Sequence, residues 1–374
     1  MQKLAATAAI GLATLAQGIS SAAAEPVRLR IGGYAKWWVS GGTNDAGYLA
    51  ASGSDVNSMD VKGDAEIHIL GTGRLDNGLI LGFKSELEAG GDTSQSSDPI
   101  DKSFVWIEGG FGKIEAGTDY NAASLLHVAA PEAAGLWNGP PVGLMANTNV
   151  ARPAAVSTMY SGNQTELDHD DNADKVLYFT PSFAGLAAAL SYTPSALAED
   201  RREPTRASEV YALGLGWNGT VGPVTVAASS GLLTGSLASA AGGSTVRAFS
   251  AGLQLSYDGV TIGGSMGDDH HDYGPGARIA TDDSGRSWDM GIMVERGPWA
   301  LSLDYYHSSV RGEVINPADD RIDVWQISGK YVLGEGVALM AAFGHVAYDD
   351  EGPDTDHAAH NDGTSLMTGL GLWF

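Results

Sequence analysis

The side chains of this chain that could do chemistry fall into two sets. The first is a run of five adjacent cation-binding groups, Asp268-Asp269-His270-His271-Asp272. Hard ions such as Ca2+ and Mg2+ favour carboxylates, so Asp268, Asp269 and Asp272 are its metal candidates. The run lacks a fixed ligand spacing, so the expectation is a solvated acidic outer loop with no resident metal. Ca2+ or Mg2+ at such acidic outer loops is the weaker alternative. His357 and His360 mimic a helical zinc pair, but the glycine and charge around them argue for a loop. Asp319-Asp320 and Asp349-Asp350-Glu351 read as charge runs on a wet rim. Neither a serine elbow nor a Ser/His pair on neighbouring strand ends is expected, so no enzyme is expected.

The second set is more telling, because its charges recur every second residue. Lys62, Asp64 and Glu66 alternate with Val61, Ala65 and Ile67, and Lys84, Glu86 and Glu88 with Phe83 and Leu87. Lys113 and Glu115 repeat the pattern. A period of two means a strand with one apolar and one charged face. Unpaired charge is too costly for a dry core, so these faces line water.

The elements that hold them read as antiparallel hairpins. Strand one spans Val27 to Val39, with Leu29, Ile31, Ala35, Trp37 and Val39 on one face and Lys36 on the other. Asn77-Gly78 after the second strand, near Asp60 to Arg74, is a hairpin turn signal. Short turns are expected at 76–78, 109–111, 181–185, 218–223, 258–259, 297–298 and 334–336. Long polar loops are expected at 41–59, 90–101, 119–172, 194–208, 233–246, 268–285, 311–321 and 349–363. Seven short and eight long connections fit sixteen antiparallel strands with both termini on the short-turn side. The fold class is therefore all-β, a transmembrane antiparallel β-barrel of sixteen strands, whose turns are short at one end and long at the other. That size admits an aqueous channel. Trp37, Trp38, Trp106, Trp217, Trp288, Trp299, Trp325 and Trp373 near strand ends suit interfacial girdles.

Both ends of the chain agree with export and closure. Lys3, an Ala- and Leu-rich run, and Ala22 and Ala24 form a signal peptide over 1–24, leaving 25–374 as the barrel. Thr364 to Phe374 alternates Leu366, Thr368, Leu370, Leu372 and Phe374 against Met367, Gly369, Gly371 and Trp373. A strand at a chain end needs partners on both sides, which closure supplies. Cysteine is absent, so no disulfide framework is available. The net charge of −24 argues against a nucleic-acid partner, which calls for surplus lysine and arginine.

One connection stands apart. The loop after strand five runs from Asp119 to about Asn172 and holds Leu125, Leu126, Val128, Leu136, Trp137, Val142, Leu144 and Met145. Very long loops are functional or disordered. By these residues alone, it either folds into the barrel or forms an outer flap.

Ser103-Phe-Val-Trp-Ile-Glu-Gly-Gly-Phe-Gly-Lys-Ile-Glu-Ala-Gly-Thr118 resembles the hairpin that precedes the constriction loop of Gram-negative general porins. Lys175-Val-Leu-Tyr-Phe-Thr-Pro-Ser-Phe-Ala-Gly-Leu186 resembles the next hairpin. Phe374 resembles the family's terminal aromatic, read by the barrel-assembly machinery, and Ile31-Gly-Gly-Tyr-Ala35 is similar to alphaproteobacterial porins. The resemblance implies a homotrimer in the Gram-negative outer membrane, in contact with lipid and lipopolysaccharide, with the third long loop folded into the lumen. It implies passive diffusion of small hydrophilic solutes and ions past an eyelet. The loop side of that eyelet would be Asp119, Glu132, Asp168, Asp170 and Asp171. The basic wall would be Lys36, Lys62, Arg74, Lys84 and Lys113. Lysine stands at most places where the family has a dense arginine ladder, which argues against anion preference, and the surplus of carboxylates makes weak cation selectivity the expectation. The alternative is a substrate-specific channel, with Trp137, Trp106 and Tyr120 as an aromatic track for one solute class.

Overall fold

A computed structural model describes residues 24–90, 100–135, 149–157, 165–170, 172–196, 207–237, 244–273, 280–316 and 318–374. The expected signal peptide, except Ala24, lies outside the described residues, as do Leu136, Trp137, Val142, Leu144, Met145 and Asp171.

Sixteen strands follow one another around a ring. They are β1 Glu25–Gly42, β2 Met59–Arg74, β3 Ile80–Glu88, β4 Ile100–Gly109, β5 Gly112–Thr118, β6 Asp174–Phe179, β7 Leu186–Ser195 and β8 Ala207–Val221. The rest are β9 Val224–Leu237, β10 Ser244–Tyr257, β11 Val260–Tyr273, β12 Thr281–Arg296, β13 Trp299–Glu313, β14 Asp320–Gly334, β15 Val337–Asp349 and β16 His360–Trp373. Each pairs antiparallel with its sequence neighbours, and β1 pairs with β16 to close the barrel. Closure leaves no open sheet edge. Among the described residues no helix is long and apolar enough to cross a membrane.

Alternation gives the wall its two faces. Leu29, Ile31, Met290, Leu301, Leu303, Ile327, Leu366 and Leu372 are exposed on the outer face. Their strand neighbours Ser302, Asp304, Gln326, Ser328, Ser365 and Met367 are buried on the inner one. Apolar outside and polar inside suits a wall between lipid and water. Trp37, Trp288, Trp299 and Trp325 stand on the apolar face, whereas Trp38 is buried on the inner one. A girdle role therefore does not extend to Trp38, which packs with Met340, Ala342 and Met367.

The strands outrun their sequence boundaries. β11 continues to Tyr273 and β12 begins at Thr281, so Asp268 to Asp272 lie in a strand rather than a loop. Cross-strand pairing of Asp268 with Phe249 and of Asp272 with Thr245 on β10 overrides the turn-like polarity of that stretch. Among the described residues two short helices also lie within loops: α1 Ala46–Ser52 and α2 Ala122–Leu125. Asn121 nucleates α2, its side chain accepting from Ala123 N at 2.9 Å and Ser124 N at 3.1 Å.

Candidate functional site

The inner wall of β1 to β5 is a belt of ion pairs. Every second residue of a strand points inward, so register decides which charges meet. Lys36 faces Asp64 across the β1–β2 pairing, and its Nζ lies 2.7 Å from the carboxylate. Tyr34 donates its hydroxyl to Asp64 at 3.0 Å and to Glu66 at 2.5 Å. His68 Nε2 lies 2.6 Å from Glu66. Glu86 takes Lys84 from its own strand and Lys102 from β4 at 3.1 Å. Lys113 pairs with Glu115 at 2.7 Å and stands over the Phe179 ring at 4.3 Å.

Lys36, Lys84 and Lys113 thus sit on the inner wall, each beside a carboxylate. Lys62 borders a separate cavity of about 320 Å³ with Asp60 and Asn149. Arg74 stands at the short-turn end of β2, opposite Ile80. The wall also carries Lys102 and Lys175, which lie outside the basic set expected from the sequence. Lys102 lies opposite Glu86 in the β3–β4 register, the signal that could have found it. Its Nζ also stands over the Tyr120 ring at 4.3 Å.

The long connection follows the inner face strand by strand. Ser191 of β7 accepts from Ala122 N at 3.0 Å, and Ser229 of β9 from Val128 N at 2.9 Å. Gln254 of β10 donates to Ala129 O at 2.7 Å. Asp289 of β12 accepts from Ala130 N at 2.8 Å, and Ser302 of β13 from Ala133 N at 3.1 Å. Farther along, Asn149 accepts from Ser40 of β1 at 2.7 Å. These bonds use the polar wall side chains to satisfy loop amides that would otherwise be unpaired.

The acidic loop candidates are held in that lattice to different degrees. Glu132 reaches β14, accepting from Gln326 at 3.1 Å and from the Ser328 hydroxyl, and it closes its own turn through Ala134 N at 2.8 Å. Asp170 is fully buried, accepting from Asn121 at 2.7 Å and Thr193 at 2.5 Å. It ties the two ends of the loop together rather than presenting charge to water. Asp119 is buried and caps Tyr120 N at 2.8 Å, while its carbonyl receives Lys175. Asp168 is half-buried on the same returning segment, one residue after the buried Leu167.

Two titratable loop groups are shifted by their surroundings. His127 reaches Thr165 Oγ1 through Nε2 at 2.9 Å, and burial pulls its pKa down to about 4. Glu166 keeps part of its surface open, yet the surrounding loop and wall strip enough water to push its carboxyl up to about 7.

The charged run on β11 divides by face. Asp268 pairs with Arg286 at 2.5 Å, and Asp272 with Arg247 at 3.1 Å; both arginines are exposed and both aspartates half-buried. Asp269 and His271 point inward, where His169 of the long connection meets Asp269 at 3.2 Å. Strand alternation therefore separates Asp269 from Asp268 and Asp272, and the three carboxylates do not form one site.

The chain nevertheless carries one serine motif. Gly263-Gly264-Ser265-Met266-Gly267 does spell the Gly-x-Ser-x-Gly pattern. Ser265 sits mid-strand in β11, however, and its hydroxyl donates to Asp289 and meets Thr165 at 2.5 Å. An elbow requires a strand-to-helix turn, which this position lacks.

Comparison with known proteins agrees with this architecture. A family profile described as Gram-negative porin matches residues 5–351. No curated protein sequence matches the chain. Among solved structures, an anion-selective porin from Comamonas acidovorans is similar over 93% of this chain and 100% of that one, at 17% identity and a TM-score of 0.67. A loop-deletion mutant of OmpT, an outer membrane protein of Vibrio cholerae, covers 93% of this chain and 99% of its own at 12% identity and a TM-score of 0.63. A mutant of Rh. blastica porin covers 93% and 100% at 14% identity and a TM-score of 0.56. At these identities the likeness speaks to the fold.

Proposed function

The chain belongs to the Gram-negative porin family, and from that premise we propose a weakly cation-selective pore for small hydrophilic solutes and ions, narrowed by the 119–173 connection and assembled as a homotrimer. It is a multi-pass β-barrel of the outer membrane and a diffusion channel. The wall chemistry described above supports the selectivity and the eyelet in this reading.

The observation that supports cation preference is the pairing of the lysines. Lys36, Lys84, Lys102, Lys113 and Lys175 each lie within 4 Å of a carboxylate. A paired lysine offers little net field to a passing anion, whereas the chain as a whole carries −24. The Comamonas structure bears the description anion-selective, and selectivity set by individual wall charges need not follow the fold. Arg74 at one mouth and Lys62 beside its cavity complete the basic side; Glu132 and Asp168 form the acidic side.

The homotrimer, its lipopolysaccharide contacts and its handling by the barrel-assembly machinery belong to the same reading. The exposed apolar outer face gives lipid or a second copy a surface to cover.

Reversal potentials of the refolded protein across a salt gradient test the selectivity. A modest potential of the cation-selective sign is expected, and anion preference overturns it. Saturable block of single-channel current by one solute class would instead favour a substrate-specific channel. The aromatic track is weakened as a basis for that alternative, because Lys102 already stands over Tyr120.

A further inference from the structure

The long connection and β11 bring together three side chains that the wall chemistry above leaves unused. His271 Nε2 and His169 Nε2 each lie 3.2 Å from the same oxygen of Asp269, Oδ2. The candidate ligand atoms of the three residues all fall within 4.8 Å of one another. Asp269 is only 3% exposed, and its second oxygen, Oδ1, is enclosed without a hydrogen-bond partner. A buried carboxylate oxygen normally has one.

The spacing has a chemical meaning. Zinc bonds to imidazole nitrogen and carboxylate oxygen are about 2.0–2.1 Å, which puts tetrahedral ligand atoms about 3.3 Å apart. Both nitrogen–oxygen separations here match that edge. Two imidazoles and one carboxylate select borderline ions over Ca2+ and Mg2+, which prefer all-oxygen sites. An outer layer is present as well. His271 Nδ1 faces the Tyr273 hydroxyl at 3.5 Å, and that hydroxyl donates to Asp282 at 3.3 Å. Such contacts fix the tautomer that leaves Nε2 for a metal.

We propose that His169, Asp269 and His271 form a site for one borderline divalent transition-metal ion of the Zn2+ class, and that the ion pins the long connection to the wall at β11. The imidazoles bind as neutral donors through Nε2, and any proton on those atoms leaves to solvent as the ion enters. A fourth position remains for water. Metal binding stands independently of the channel reading; only the consequence for current rests on it.

The test uses the full chain refolded in detergent without a polyhistidine tag. Co2+ is titrated and followed by visible absorption, then displaced with Zn2+. One ion per chain with tetrahedral bands is expected. H169Q and H271Q should each weaken binding by more than about a hundredfold, beyond the 10- to 100-fold of an outer-layer change. Y273F should weaken it about tenfold, and H270Q, on the opposite face, should leave it unchanged. All variants are first checked for the heat-modifiable gel mobility of a closed barrel; should H169Q or H271Q fail it, D269N takes its place. Absence of saturable uptake overturns the site. So does wild-type affinity in H169Q and H271Q, which would assign the metal to other histidines. Zn2+ should also reduce current fluctuations in planar bilayers, and binding without that change overturns the pinning. A protein that never conducts would count against the channel reading, while the Co2+ titration still decides the site.

Discussion

Gly33 and Phe374 exchange both backbone hydrogen bonds, Gly33 N to Phe374 O at 3.0 Å and Phe374 N to Gly33 O at 3.1 Å. They form one end of the β1–β16 ladder that runs from Tyr34–Trp373 to Gly42–Ser365. Gly33 has a φ of +150°, and a Cβ there would lie 2.2 Å from the Glu66 carbonyl oxygen. The position tolerates no larger residue without moving β2. Deleting Phe374 removes two ladder bonds, each worth about 1 kcal/mol, and a side chain on the outer face. Both the deletion and Gly33→Val should lower the yield of heat-modifiable barrel before they alter the conductance of barrels that do form. Wild-type yield from the deletion would contradict this.

Lys36 and Asp64 make the most enclosed pair of the ion belt, with side chains 6% and 7% exposed. Removing one member strands the other charge, which costs about 3–5 kcal/mol for a buried pair. Lys36→Met should therefore lower the denaturant midpoint strongly. Lys36→Met combined with Asp64→Leu should recover much of that loss, because no uncompensated charge remains. Equal destabilisation by the single and double variants would show that packing, not charge, is at stake.

The barrel could be read from residues because a period of two reports a face directly. Leu366, Leu370 and Leu372 fall outward and Met367 inward, as their alternation implies. Strand ends were less legible. The polar run Asp268 to Asp272 resembles a loop, yet cross-strand bonding and outward ion pairs with Arg247 and Arg286 keep it in β11. The site was legible as charge types but not as partnerships. Lys102 meets Glu86 only through register, and Asp170 proves to be a buried anchor because Asn121 and Thr193 converge on it. His169 and His271 are 102 positions apart in the chain and meet only because the long connection runs along the wall.

Glu132 fastens that connection to β14 through Gln326 and Ser328. Glu132→Ala would leave those groups and the amides of Ala134 and Gly135 without their acceptor, at about 1–3 kcal/mol for each buried group left unpaired. The barrel itself should assemble normally, since no ladder bond is touched. Single-channel records should show more frequent partial closures than wild type. Ser328→Ala should reproduce the effect more weakly, and quiet records from both variants would remove Glu132 from this role.

His127 and Glu166 give the docked connection opposing pH dependences. Glu166 is raised from 4.5 to about 7, so its contribution to docking is full below pH 4.5 and is lost as pH rises through about 7. His127 is lowered from 6.5 to about 4, so its contribution is full above pH 6.5 and is lost as pH falls through about 4. Docking should accordingly be looser at pH 8 than at pH 6 because Glu166 ionises in place. Glu166→Gln should abolish that alkaline loosening and leave the acid limb, governed by His127, intact. Limited proteolysis of the connection across this pH range provides the measure. An alkaline rise in cleavage that persists in Glu166→Gln would assign it to another group.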